Sequence, residues 1–243
     1  MRGLRSGSGR GTERSMNGYG FTLAGAALTA LPSGALWWQE RQLLAVSDLH
    51  LGKSDRMARR GGALLPPYET EDTLSRLDAD IAATRAATVV CLGDSFDDLA
   101  AAGALAERHA LWLARLMAGR RWLWVEGNHD PGPLGLGGSH LAELREGPLA
   151  FRHIALPGAE AEVSGHFHPK APLGLGLSRP CFLLDAARLV LPAYGTYTGG
   201  LRCDREPLAA LMGPGALALL VGPRVIPLPM PGAQSLSVAT SPS

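Results

Sequence analysis

The sequence predicts an α/β domain of layered sheets with helices outside. Three observations predict it. Short apolar runs recur along the chain, each too apolar to be a surface segment. Strand-like runs alternate with helical patterns as far as Gly119, and after that the chain reads mostly as strand. Over 243 residues, 46% are hydrophobic and 19% charged, enough for the core of one large domain.

Residues 1–17 read as a disordered basic extension, with Met16 as an alternative start. The main domain is expected over 18–228. "FTLAGAALTAL", the turn "PSG" and "ALWW" read as a hairpin. That turn, at Pro32, Ser33 and Gly34, argues against a signal peptide. "QLLAVSD" is a buried strand. "TEDTLSRLDADIAATRAA" is a helix by the spacing of Leu74, Leu77 and Ile81, with Thr70 as its N-cap.

"TVVCLGD" is the next buried strand. "LAERHALWLARLMAG" is a helix closed by Gly119. "RWLWVEGN" is the third strand, and "LAFRHIAL" and "AEVSGHF" are two more. "CFLLDAARLVLPA" reads as a hairpin with "DAAR" at its tip, and "GALALLVGPRVIPL" ends the domain. The two copies of "PLGLG", at 133–137 and 172–176, read as Gly-rich loops, and 229–243 as a loose tail.

Bulk properties narrow the function. The net charge is +1, so no global field calls for nucleic acid or membrane. No apolar run reaches the roughly 18–20 residues of a membrane span. Cys91, Cys181 and Cys203 are scattered without CxxC spacing, which argues for a reducing, cytoplasmic compartment rather than a disulfide framework.

The chemistry collects at strand ends. "AVSDLH" places Asp48 and His50 past one strand, "CLGDSFDD" places Asp94 past the next, and "VEGNHD" places Asn128 and His129 past the third. "FRHIA" adds His153, and "VSGHFH" adds His166 and His168. In open α/β sheets, ligands bind outside the carboxyl ends of strands. Asp48 and His50 are two apart, as are His166 and His168, so in extended chain each pair points one way. Carboxylate, imidazole and amide oxygen without thiolate suit Mn²⁺, Fe or Zn²⁺. Seven such side chains exceed one ion, and two ions sharing a carboxylate is the natural solution.

Asp-x-His, Gly-Asp-x-x-Asp, Gly-Asn-His-Asp, a lone His and Gly-His-x-His, in that order, resemble the calcineurin-like metallophosphoesterases over residues 45–168. That resemblance implies a four-layer α/β/β/α sandwich with two divalent metal ions, Mn first. It implies Asp48, His50, Asp94 and His168 around one ion, and Asp94, Asn128, His153 and His166 around the other, with Asp94 bridging. His129 would face the scissile phosphate as acid or charge stabiliser, and Asp130 would orient His129.

A closer resemblance runs over most of residues 20–205. "VSDLHLGKSDRMARRGG", "LGDSFDD", "WLWVEGNHDP", "SGHFHPKA" and "RPCFLLDAARLVLPAYGTYTGGL" are similar to the bacterial ligase-associated DNA damage response endonucleases. This implies a phosphodiesterase acting on DNA, single-stranded DNA in particular, in functional association with an ATP-dependent ligase, a helicase and an exonuclease. Asp97 stands where that family commonly has His, and "RHIA" where it commonly has "RHEP"; substrate preference is the property these departures touch.

Residue types support nucleic acid locally. Lys53, Arg56, Arg59 and Arg60 follow the first metal motif and would track phosphates, the alternative being a solvated, ion-paired face. In "YGTYTGG", Tyr194 and Tyr197 offer rings on which a base could stack, or ordinary packing of a strand end. Lys170 either touches phosphate or is solvated. The motifs themselves read only phosphate, so a small-molecule phosphodiesterase or phosphomonoesterase is the competing enzyme. A non-catalytic metal scaffold would have no need of His129.

Overall fold

The computed structural model describes residues 17–54, 57, 68–132 and 135–231. The expected extension before Asn17, the basic Arg56, Arg59 and Arg60, Pro133 and Leu134 of the first "PLGLG", and the tail from residue 232 lie outside the described residues.

Among the described residues, seven strands form one sheet in chain order: β1 (Tyr19–Leu23), β2 (Ala26–Ala30), β3 (Leu36–Trp38), β4 (Leu43–Val46), β5 (Thr88–Leu92), β6 (Arg121–Val125) and β7 (Ser139–Leu141). From β4 to β7 neighbours are parallel. The second sheet holds β8 (Leu144–Glu146), β9 (Leu149–Phe151), β10 (Glu162–Ser164), β11 (Lys170–Gly174), β12 (Leu177–Leu184), β13 (Arg188–Val190), β14 (Leu217–Leu220) and β15 (Ile226–Pro229). Its order is β15-β14-β12-β13-β10-β9-β8, with β11 paired to β12. Among the described residues, the α-helices with both ends described are α1 (Glu69–Thr84), α2 (Leu99–Gly103), α3 (Glu107–Met117) and α4 (Leu208–Leu211).

The central strands are apolar throughout because both their faces are covered. Leu43, Ala45, Val90, Leu92, Leu123 and Val125 pack between the sheets against Phe151, Val163 and Phe182. Their neighbours Leu44, Val46, Val89, Cys91, Trp122 and Trp124 face the other way, onto Leu74, Leu77 and Ile81 of α1 and Leu113 and Leu116 of α3. The outer face of the second sheet carries Cys181, Leu183, Val190 and Leu220 under Leu208 of α4 and Met212. The layers are α/β/β/α, the fourth being thin. The three cysteines are buried and form no disulfide.

Several local expectations are revised. The first apolar run is not one strand: it reverses at Ala24 and Gly25, both in left-handed backbone, and makes β1 and β2. "PSG" then joins β2 to β3, giving three strands instead of two. The second "PLGLG" enters β11 and the turn into β12 instead of remaining a loop. Strands β7 and β8, three residues each, were too short to read as periodic patterns.

Thr70 is not the N-cap of α1; the helix begins at Glu69, and Tyr68 makes no side-chain cap bond. The first-turn side chains serve another segment. Thr70 Oγ1 accepts the N–H of Gly52, and the Glu69 carboxylate accepts both the N–H and the hydroxyl of Ser54. Helix α1 therefore anchors the chain just past His50.

Candidate metal centre

The four parallel-edge loops after β4, β5, β6 and β10, with the segment leaving β9, meet at one edge of the two sheets. Asp48 and His50 follow β4, Asp94 follows β5, Asn128 to Asp130 follow β6, His153 follows β9, and His166 and His168 follow β10. Every metal-motif residue expected from the sequence is at this edge. The loops bond to one another: His50 N–H donates to Asp94 O and Asp48 N–H to Gly93 O. Gly127 permits the closest approach, since a Cβ there would lie 2.1 Å from Asp94 N.

Asp48, His50, Asp94, His166 and His168 all have positive φ, between +44° and +71°. Each such non-glycine residue costs on the order of 1 kcal/mol or more, which surrounding structure must offset. Five strained residues on one sheet edge place the strain where side chains must converge.

The donors form two groups. In the first, His168 Nε2 lies 3.1 Å from Asp48 Oδ1 and 3.4 Å from His50 Nε2. In the second, His153 Nε2 lies 3.0 Å from Asn128 Oδ1, 3.2 Å from His166 Nδ1 and 3.3 Å from Asp94 Oδ2. His153 Nδ1 donates to the Leu92 carbonyl at 2.9 Å, so in the neutral ring, the form that binds a metal, Nε2 carries the lone pair. That lone pair faces an amide oxygen, a carboxylate and another imidazole nitrogen. With His153 neutral, these groups present converging lone pairs to one point, so the residues fit a divalent metal. His50 Nδ1 is 2.9 Å from Asp97 Oδ1, the second contact that a ligating histidine requires.

Electrostatics follow from the same contacts. Burial raises the Asp94 carboxyl, but the His153 imidazole and the His129 N–H outweigh it and hold it down to about 2. Burial likewise opposes ionisation of Asp48, and His168 and His153 reverse it, leaving Asp48 below the usual range. His153 is raised by Asp94 and Asp48 against its own desolvation. His166 is lowered, by burial and then by His153.

His129 is half-buried beside the first group, its ring centroid 5.2 Å from that of His50. Its N–H donates to Asp94 Oδ1 at 2.8 Å, and its Nδ1 to the Asp97 carbonyl at 2.8 Å. Asp130 is expected to orient His129, and its own hydrogen bonds go to the neighbouring loop. The Asp130 carboxylate accepts from the N–H groups of Ser95, at 2.8 Å, and Phe96, at 3.2 Å. It braces the loop that carries Asp97, whose carbonyl accepts from His129 Nδ1. Burial and the charge of Asp94 push Asp130 up to about 6.

Two contributors were not among the expected site residues. Asp97 orients His50 by its carboxylate and His129 by its carbonyl; the second aspartate of "GDSFD" was the available signal. Ser47 donates to Asp48 Oδ2, which also accepts the N–H of His166 at 3.0 Å. Of the basic cluster, Lys53 is half-buried three positions past His50. Tyr194 is fully buried with its hydroxyl on Asp80, whereas Tyr197 is 38% exposed. Lys170 donates to the Thr198 carbonyl.

A two-sheet sandwich that gathers Asp, His and Asn donors into adjoining groups, with an imidazole at their side, defines a metal-dependent hydrolase of phosphoester bonds. The calcineurin-like phosphoesterase family matches residues 41–171, and the chain belongs to that family, whose members use a binuclear metal centre. Among solved structures, the Pseudomonas putida nuclease MPE is similar, with a TM-score of 0.70 and 31% identity, over 87% of this chain and 100% of that one. No curated protein matches the chain. Among the described residues no helix is long and apolar enough to cross a membrane.

Proposed function

We propose that this chain is a two-metal phosphodiesterase that cuts single-stranded DNA internally, in bacterial DNA repair. The carrying observation is the meeting of two donor groups beside His129 in a chain 31% identical to a nuclease over 87% of its length. One cation is assigned to Asp48, His50, Asp94 and His168. The other is assigned to Asp94, Asn128, His153 and His166, with Asp94 shared and Mn²⁺ preferred over Fe or Zn²⁺. Such a pair supplies charge neutralisation of the phosphate and acidification of the attacking water.

The protein's own part is positioning and proton transfer. His129 Nδ1–H is committed to the Asp97 carbonyl, so in the imidazolium form the second proton sits on Nε2, and that proton passes to the leaving oxygen and leaves the ring neutral. Asp130 supports it by fixing the loop of Asp97. Lys53, Arg56, Arg59 and Arg60 are assigned to phosphates leading into the site. A cytoplasmic location and functional association with a ligase, a helicase and an exonuclease follow from the resemblance to the ligase-associated endonucleases.

The test is Mn²⁺-dependent cleavage of closed circular single-stranded DNA by wild type and Asp94→Ala. Linear fragments from wild type alone support the reading, because a circle has no ends. An intact circle, with a small phosphodiester still hydrolysed, would move the substrate to a small molecule. Two ions still bound to Asp94→Ala would remove its bridging role.

A further inference from the structure

Residues 195–201 form a loop that spans the two principal metal motifs. At one end the N–H of Gly195 donates to the Asp48 carbonyl at 3.0 Å, and that of Tyr194 to Ser47. Gly195 packs so closely that a Cβ would lie 2.2 Å from the Leu49 carbonyl oxygen. At the other end Leu201 N–H donates to Phe167 O, between His166 and His168. Tyr197 sits within this span with φ +60°, a strained conformation for an aromatic residue, and keeps much of its surface in solvent. A cavity of about 400 Å³ lies alongside, its lining including Tyr197, Thr196, Arg76, Pro180, Pro192 and Val221.

The chemistry of the lining selects its occupant. Arg76 is already engaged through one nitrogen: its Nη2 donates to the Tyr194 carbonyl at 2.9 Å and Thr196 Oγ1 at 2.8 Å, and is paired with Asp72 at 3.3 Å. Asp72 also lines the cavity, which makes its field unfavourable for an anion. Apolar proline faces and an aromatic ring suit a flat, uncharged ring. The volume is in the range of small-ligand sites.

We propose that this cavity is a nucleobase subsite, with Tyr197 as its stacking face, beside the phosphodiester cut at the metal centre. The inference rests on the nuclease reading and deepens it. A base in the cavity has left any duplex stack, so the subsite favours single strands over paired ones.

The test compares Mn²⁺-loaded wild type, Tyr197→Ala, Tyr197→Gly and Tyr197→Phe. The substrates are a single-stranded oligonucleotide, the same strand with an abasic site moved through the positions flanking the cut, and a small phosphodiester of two abasic deoxyriboses, which has neither a base nor an aromatic ring. Tyr197→Ala should raise KM for the intact strand by about 10- to 100-fold more than for the small diester. Tyr197→Gly, which relieves the positive φ, should do the same, and Tyr197→Phe should resemble wild type. One abasic position should impose a similar penalty on wild type and little on Tyr197→Ala. Equal effects on strand and diester, or an abasic penalty undiminished in Tyr197→Ala, would overturn the subsite while leaving the nuclease intact. Wild type that hydrolyses the diester but cuts no strand would overturn the nuclease reading and the subsite with it.

Discussion

Glu162→Gln tests whether buried charge behind the metal centre holds His153 in place. Glu162 is fully buried. Its Oε1 accepts from Arg152 Nη1 at 2.6 Å and from Leu156 N–H at 2.9 Å; its Oε2 accepts from Arg188 Nη1 at 3.1 Å. Arg188 also donates to the carbonyls of Leu156 and Ala159. These bonds pin residues 152–159, the segment that carries His153. Glutamine keeps the shape but retains one acceptor oxygen, so its amide NH₂ must face a guanidinium. Arg152 still reaches Glu143, while Arg188 loses its only carboxylate among the described residues. Breaking a buried pair costs about 3–5 kcal/mol. For a chain of this size that lowers Tm by roughly 6–20 °C. The loosened segment should also weaken one of two Mn²⁺ sites by on the order of 10- to 100-fold, as loss of ligand support does. Differential scanning calorimetry of metal-free protein and Mn²⁺ titration measure the two effects. A Tm within 2 °C of wild type, on the scale of about 2–4 °C per kcal/mol, would refute the energetic argument. Equal weakening of both sites would refute the link to His153.

Other outcomes follow from the same geometry. His129→Ala should keep both metals and lose about 10²- to 10⁴-fold in turnover on a phosphodiester, the contribution of a general acid; full turnover would remove His129 from the chemistry. Asp80→Asn should stabilise the fold at pH 7 and not at pH 3. Burial raises the Asp80 carboxyl above 3.8, against Ser33, Tyr194 and Arg76. A raised carboxyl contributes stability that is complete below pH 3.8 and is lost as pH climbs through the folded value. Thermal melts across pH check the sign, and destabilisation at pH 7 would show that the Tyr194 bond to Asp80 outweighs desolvation.

Most of the candidate site was legible because its residues sit at the ends of apolar runs. Each run declares a buried strand, and the first polar residues beyond it must lie at a sheet edge. Asp97 was less legible, since its role depends on reaching His50, 47 positions earlier, across two adjacent loops. Tyr194 and Tyr197 look alike in "YGTYTGG", yet one is a core residue hydrogen-bonded to α1 and the other is a surface ring. Arg152, Glu162 and Arg188 each stand beside apolar runs and would pass singly for surface charge; only the parallel register of β9, β10 and β13 stacks them. The reversal at Ala24 and Gly25 hid inside an unbroken apolar run because alanine carries no turn signal of its own.

By itself the sequence determined where the central strands and the two long helices lie, which strands are covered on both faces, and which residue types arrive at strand ends. These are local consequences of apolar periodicity and chain geometry. The tertiary structure alone decided which side chains meet: the two donor groups, the tautomers set by Leu92 and the Asp97 loop, the bracing role of Asp130 and the buried charges behind His153. The reason is that such contacts depend on strand order and register between segments tens of residues apart, and a one-residue slip in register would exchange the buried face for the exposed one.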